Sequence, residues 1–253
     1  LEFYYLLGST NSIYEAGGCI EEFAVNYDET AEIYNPFDPC YYYQDVDLQT
    51  GWNIFSLSLL PNEEDVTLFN ILSPISDEVL LVLDETGSGI FKDQSDQWID
   101  NIGQWQSSEG YLIKVNTGQT LELTTDRLID LPLSIDLDSG WNIISYPIQS
   151  ENGDLIENVL SDIIISGDLY TVFSETGDIY VPSYITGSDP INSIGSMLKD
   201  EGYYVKVLDD VSLNIVEPTV DNLFVDEQNN NIYRTGHFSP VWDGNPSNPM
   251  TIT

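Results

Sequence analysis

Apolar and polar residues alternate along Trp141-Asn142-Ile143-Ile144-Ser145-Tyr146, which predicts a β-strand, and the glycine before the tryptophan marks a turn into it. A helical period follows. Between residues 155 and 163 the apolar positions are 155, 156, 159, 160 and 163, one face of a helix. Residues 66–72 show the same kind of spacing. Strands are then expected at residues 80–83 and 169–173, each closed by a Glu-Thr-Gly turn, with a short aromatic strand at Ile179-Tyr180-Val181. The Ile-x-x-Ile-Gly landmark reads as a single helical turn or a tight corner. Gly-Tyr-Tyr-Val-Lys-Val and Val211-Ser212-Leu213-Asn214-Ile215 finish the pattern as two strands joined across a Gly/Asp turn.

Most of this pattern is written twice. Gly51-Trp52-Asn53-Ile54-Phe55-Ser56-Leu57 recurs as Gly140-Trp141-Asn142-Ile143-Ile144-Ser145-Tyr146, and Glu85-Thr86-Gly87 recurs as Glu175-Thr176-Gly177. Ile99-Asp100-Asn101-Ile102-Gly103 answers Ile191-Asn192-Ser193-Ile194-Gly195. Glu109-Gly110-Tyr111-Leu112-Ile113-Lys114-Val115 answers Glu201-Gly202-Tyr203-Tyr204-Val205-Lys206-Val207. Four landmarks in one order at near-constant spacing identify a tandem duplication. Each unit is about 80 residues, small but able to bury a core.

The fold class that follows is mainly β with short helices (α+β): two tandem small antiparallel β-barrel or sandwich-like domains. Antiparallel pairing is favoured because the connections are too short for most crossovers. The domain reading has five parts: residues 1–17 an N-terminal strand, 18–44 a cysteine-looped segment, 45–127 and 128–217 the repeats, and 218–253 a linker and a C-terminal strand. Within each repeat the alternation places Trp52 and Trp141 as core anchors.

Charge narrows the function classes. Six Lys plus Arg against 43 Asp plus Glu give −37 over 253 residues. Nucleic-acid binding requires basic residues that displace counterions, so it is not expected, and anionic membrane surfaces fall on the same ground. No apolar run of about 18 residues is present, so no membrane insertion is expected. The acidity reads first as a solvated, self-repelling surface suited to high salt. The start Leu1-Glu2-Phe3, without Met or a signal h-region, reads as a processed chain or an excised piece.

Cys19 and Cys40 sit in a segment rich in Asn, Asp and Pro. With one histidine in the chain, zinc is a poor reading and a disulfide in an oxidising compartment a better one. A loop of that size would contribute about 3 kcal/mol. Within it Asn26, Asp28 and Asp38 are candidate calcium ligands, since Ca²⁺ takes oxygen donors; an ordinary loop rich in Asx turns is the competing reading. Trp98 and Trp105 have no aromatic counterparts in the second repeat and are candidate glycan-stacking residues. Enzyme chemistry is not expected: His237 is the single imidazole and lies outside both repeats, and 43 acids nominate no particular carboxylate pair.

The Gly-Trp-Asn … Ile-x-x-Ile-Gly … Gly-Tyr-x-Val-Lys-Val unit resembles a module repeated in secreted and cell-surface modular proteins of marine bacteria and related viruses. Gly18-Cys19 … Phe23-Ala24-Val25-Asn26-Tyr27-Asp28 … Cys40 is similar to a short cysteine repeat of the same proteins, with Glu29 where proline is common. The tail from Phe238 through Val241, Trp242 and Met250 to Ile252 resembles the opening strand of a further surface module whose other strands are missing. An orphan strand needs a partner for its backbone groups, which makes Phe238, Val241, Trp242, Met250 and Ile252 candidate assembly residues. The resemblance implies an extracellular modular setting; the duplication, the acidity, the orphan tail strand and the missing catalytic set lead to the expectation of an extracellular or cell-surface structural or adhesive protein that self-associates, as subunit of a fibre or surface array joined by terminal-strand donation. The alternative is a glycan-binding accessory region of a larger secreted enzyme.

Overall fold

The computed structural model describes residues 17–61, 66–148, 150 and 153–216, together with two short strands beyond. Contacts divide the chain into two units, Leu1–Val216 and Glu217–Thr253. The second is described only as an antiparallel pair, Leu223–Asp226 with Asn231–Arg234.

The first unit opens with two short parallel strands, β1 (Gly17–Gly18) and β2 (Ile33–Tyr34). Cys19 and Cys40 are bonded in the loop around them, with their Cα atoms 4.9 Å apart. Both sulfurs are buried with Ala24, Tyr42 and Leu59, so the loop is packed onto the first repeat.

Repeat one runs β3 (Tyr42–Leu48), β4 (Gly51–Phe55), α1 (Leu68–Leu72), β5 (Val79–Leu83), β6 (Gly89–Lys92), β7 (Trp98–Asp100), β8 (Tyr111–Val115) and β9 (Gln119–Thr125). Repeat two runs β10 (Leu133–Leu137), β11 (Gly140–Ser145), β12 (Asp154–Leu155), α2 (Ile156–Val159), α3 (Ser161–Ser166), β13 (Leu169–Phe173), β14 (Ile179–Val181), α4 (Ser183–Thr186), β15 (Ile191–Asn192), β16 (Ser196–Met197), β17 (Gly202–Val207) and β18 (Val211–Ile215). Each repeat has the same plan: a five-stranded antiparallel sheet, β4-β8-β5-β6-β7 or β11-β17-β13-β14-β15, and a separate antiparallel pair, β3-β9 or β10-β18.

The cores lie between these layers. In repeat one, Val46, Leu48 and Leu121 of the pair meet Val82, Ile90, Tyr111, Ile113 and Val115 of the sheet, with Leu68, Ile71 and Leu72 of α1 closing the end. Ile135, Leu137, Leu213 and Ile215 do the same in repeat two against Val172, Tyr180, Tyr203 and Val205, with Leu160 and Ile163 on the helical side. Period-two alternation explains the layering: β3 reads buried and exposed in strict turn. The sheets are open, so the sandwich-like form holds and the closed barrel does not.

Two local expectations are refined. The helical period from 155 to 163 breaks into α2 and α3 around Leu160, and Leu155 belongs to a strand with its side chain exposed. Ile-x-x-Ile-Gly is a corner: Asp100 Oδ1 accepts from the N–H groups of Ile102 and Gly103, at 3.0 and 2.8 Å, and Asn192 Oδ1 accepts from that of Gly195 at 2.8 Å. Side-chain acceptors of this kind outcompete a helical turn.

Candidate functional site

The duplicated Gly-Trp-Asn sequence builds a pinned turn. Gly51 and Gly140 have φ of +106° and +116°, a region that L side chains rarely enter. Asn53 is buried; its Oδ1 accepts from the N–H of Gln49 at 2.6 Å and its Nδ2 donates to the Gln49 carbonyl at 2.8 Å. Asn142 repeats both bonds with Asp138, at 2.9 and 2.8 Å. Because asparagine takes the inward position, strand alternation sends the preceding tryptophan outward. Trp52 and Trp141 are each 49% exposed, which corrects the expectation that they anchor the core.

The two repeats close against each other at equivalent positions. The end of β4 meets the start of β17, with Phe55 bridging Glu201, and the end of β11 meets the start of β8, with Ile144 bridging Glu109. Ser56 donates its hydroxyl to the Glu201 carbonyl at 2.7 Å, and Ser145, its counterpart, donates to Ser107. Backbone N–H groups add to both sides: Ser56 to the Asp200 carbonyl at 3.3 Å, Ser145 to that of Ser108 at 3.2 Å and Gly110 to that of Ile143 at 3.0 Å. Each sheet's edge strand is thus capped at its end by the Glu-Gly step of the other repeat, which covers backbone groups that an open edge would expose.

An acidic cleft of about 250 Å³ lies beside this junction. It is lined by Asp45 and Asp47 of repeat one and by Glu175, Asp200 and Glu201 of repeat two, with Lys199 among them. Burial, then the nearby Glu201 charge, pushes Glu175 up to about 7. Burial likewise raises Asp200 to about 6, with Lys199 acting in opposition. Glu85, the repeat-one counterpart of Glu175, accepts from the Ile143 N–H at 3.2 Å. The arrangement gathers carboxylates of both repeats at their joint, where burial favours the protonated forms of Glu175 and Asp200.

The expected site residues are placed as follows. Cys19 and Cys40 form the disulfide. Asn26 pins the loop, with Nδ2 donating to the Pro39 carbonyl and Oδ1 accepting from the Tyr41 N–H, both at 2.9 Å. Asp28 forms an Asx turn by accepting from the Thr30 N–H and hydroxyl, which holds its carboxyl below the usual range. Asp38 makes neither contact, and among the described residues no group of three or more His, Cys, Asp and Glu side chains has ligand spacing. Trp98 and Trp105 both lean on the repeat-one core, and Trp98 lies between Phe69, ring centroids 5.2 Å apart, and Lys92. His237 and the assembly candidates Phe238, Val241, Trp242, Met250 and Ile252 fall outside the described residues.

A feature that sequence reasoning missed is the outer face of the repeat-two sheet. Register places Lys206 opposite Trp141 on β11 and Tyr204 opposite Phe173 on β13. A bulge between Leu169 and Thr171 turns Tyr170 onto the same face. The Trp141 ring lies 5.7 Å from Phe173 and 6.1 Å from Tyr204, and Lys206 Nζ lies 5.5 Å from the Trp141 centroid and 4.8 Å from that of Tyr170. The same positions in repeat one are Trp52, Lys114, Leu112, Leu83 and Leu80. Tryptophan and lysine thus recur together, whereas three leucines of one copy are three aromatics of the other. The signal was present in the aligned repeats, but only strand register shows that these positions share a face.

Compared with family models, curated proteins and solved structures, the chain gives no match in any of the three.

Proposed function

We propose that the chain is an extracellular structural or adhesive building block, a subunit of a fibre or surface array whose copies join through terminal strands. The observation that carries this reading is the reciprocal closure of the two repeats. Two small domains whose strand ends cap each other respond to load as one body, and the disulfide loop packs onto the same body through Tyr42 and Leu59. A stiff unit of this kind suits a spacer. The disulfide favours an oxidising compartment. Among the described residues no helix is long and apolar enough to cross a membrane. The strongly acidic composition favours a surface that stays solvated at high ionic strength.

Electron micrographs of the native material test the reading. Polymers are expected for the full chain and none for a chain lacking residues 237–253, while the thermal transition of the repeats is retained. Polymers of unchanged length after the deletion would refute strand donation, and a native protein that is monomeric at all concentrations would refute assembly.

A further inference from the structure

We infer that the outer face of the second five-stranded sheet is a stacking platform for a neutral saccharide, formed by Trp141, Tyr170, Phe173 and Tyr204 around Lys206. Comparison of the copies motivates this. The scaffold, the register and the Trp–Lys pair are common to both repeats, so folding alone is satisfied by Leu80, Leu83 and Leu112. Repeat two replaces those aliphatics with flat rings: Tyr170 is 39% exposed and Phe173 and Tyr204 are half-buried, beside Trp141, which like Trp52 is 49% exposed. Exchanging leucine for tyrosine at such sites adds ring faces and hydroxyl groups at the surface, which is the equipment of a recognition surface.

Charge selects the ligand class. A polyanion is repelled by a chain of net charge −37. A cation is repelled by the Lys206 ammonium, which already lies 5.5 Å from the Trp141 centroid and 4.8 Å from that of Tyr170. An extended peptide recognises a sheet by pairing with an edge, and here the end of the adjacent edge strand is taken by Glu109. The remaining chemistry is uncharged, with an apolar face to lie on a ring and a rim of hydroxyls. A pyranose has this form: its axial C–H bonds meet an aromatic face, and its hydroxyls reach the Tyr170 and Tyr204 phenols and the Lys206 ammonium.

The platform would supply the adhesive half of the proposed role, yet it is separable from assembly. The full chain is screened on an array of neutral and acidic oligosaccharides, and the best neutral ligand is titrated by calorimetry. Binding is compared with that of a triple variant, Tyr170→Leu, Phe173→Leu and Tyr204→Leu, which recreates the leucines that repeat one folds with. The triple variant is expected to bind about tenfold or more weakly, because three ring contacts are lost, and Trp52→Leu in repeat one to bind as the wild type does. Absence of any neutral ligand, a preference for acidic glycans or peptides, or a triple variant within twofold of wild type would overturn the inference. Polymers that persist when binding is lost would leave the structural reading standing, and binding that persists when polymers are lost would leave the platform standing.

Discussion

Replacing Gly202 with alanine probes the joint between the repeats directly. A Cβ there would stand 2.6 Å from Ile54 Cγ2 and 3.1 Å from the Phe55 carbonyl oxygen, both on the other repeat. Gly110, the counterpart, would meet the Ile144 carbonyl oxygen at 2.8 Å and Ile143 Cγ2 at 2.9 Å. Neither glycine has a positive φ, so contact and not backbone freedom selects it. Overpacking costs about 1–3 kcal/mol, and a joint forced apart also loses the Ser56 hydrogen bonds to Glu201 and Asp200, each worth about 1 kcal/mol. The reduced freedom of the unfolded chain returns about 0.4–1 kcal/mol. The net loss is about 2–5 kcal/mol, or roughly 4–20 °C in Tm for a unit of this size. Scanning calorimetry is the assay. One cooperative transition is expected for the wild type, and a lowered, broadened or split transition for Gly202→Ala, with the double variant Gly110→Ala/Gly202→Ala worse than either alone. A Gly202→Ala protein that melts at the wild-type temperature with the same calorimetric cooperativity would refute the idea that the repeats are held together here.

Further outcomes follow from the same contacts. Asn142→Ala leaves the Asp138 backbone groups without their partner, so a loss of about 1–3 kcal/mol is expected in urea unfolding, with Asn53→Ala similar. Reduction of Cys19–Cys40 is expected to cost about 3 kcal/mol locally; hydrogen exchange should rise in residues 17–40 while the repeat strands stay protected. For pH, Glu175 is raised from 4.5 to about 7 and Asp200 from 3.8 to about 6. The native state therefore binds more protons than the unfolded chain, and stability falls as pH rises through about 4 to 7. Tm is expected to drop between pH 5 and pH 8, and Glu175→Gln to flatten that drop and melt higher than wild type at pH 8; an unchanged slope would count against Glu175 as a source.

The strands were legible because their signal is local. Alternation at β11, the apolar run of β5 and the turn glycines before each tryptophan are properties of a few consecutive residues, whereas β3 straddles the end of the cysteine segment, where no strand is expected from the sequence. The disulfide was legible because the segment offered one cysteine pair. Trp52 and Trp141 were misread for a definite reason: apolar character placed them inside, whereas the hydrogen bonds of Asn53 and Asn142 to their own turns fixed which face of the strand is inner. One residue of register decides the matter for every side chain of a strand.

By itself the sequence determined that one β-rich module occurs twice and favoured antiparallel pairing within it, and its acidity made nucleic acid and anionic lipid unexpected partners. The duplicated Glu-Gly step was visible in it as a landmark without a role. Only the tertiary structure decided that Gly110 and Gly202 are where the repeats touch, that Glu175 and Asp200 lie beside that contact, and that four aromatics of the second copy share one open face. Strand periodicity is encoded in neighbours along the chain. Contact between two copies depends on shapes and charges brought together by folding, and no spacing within either copy records it.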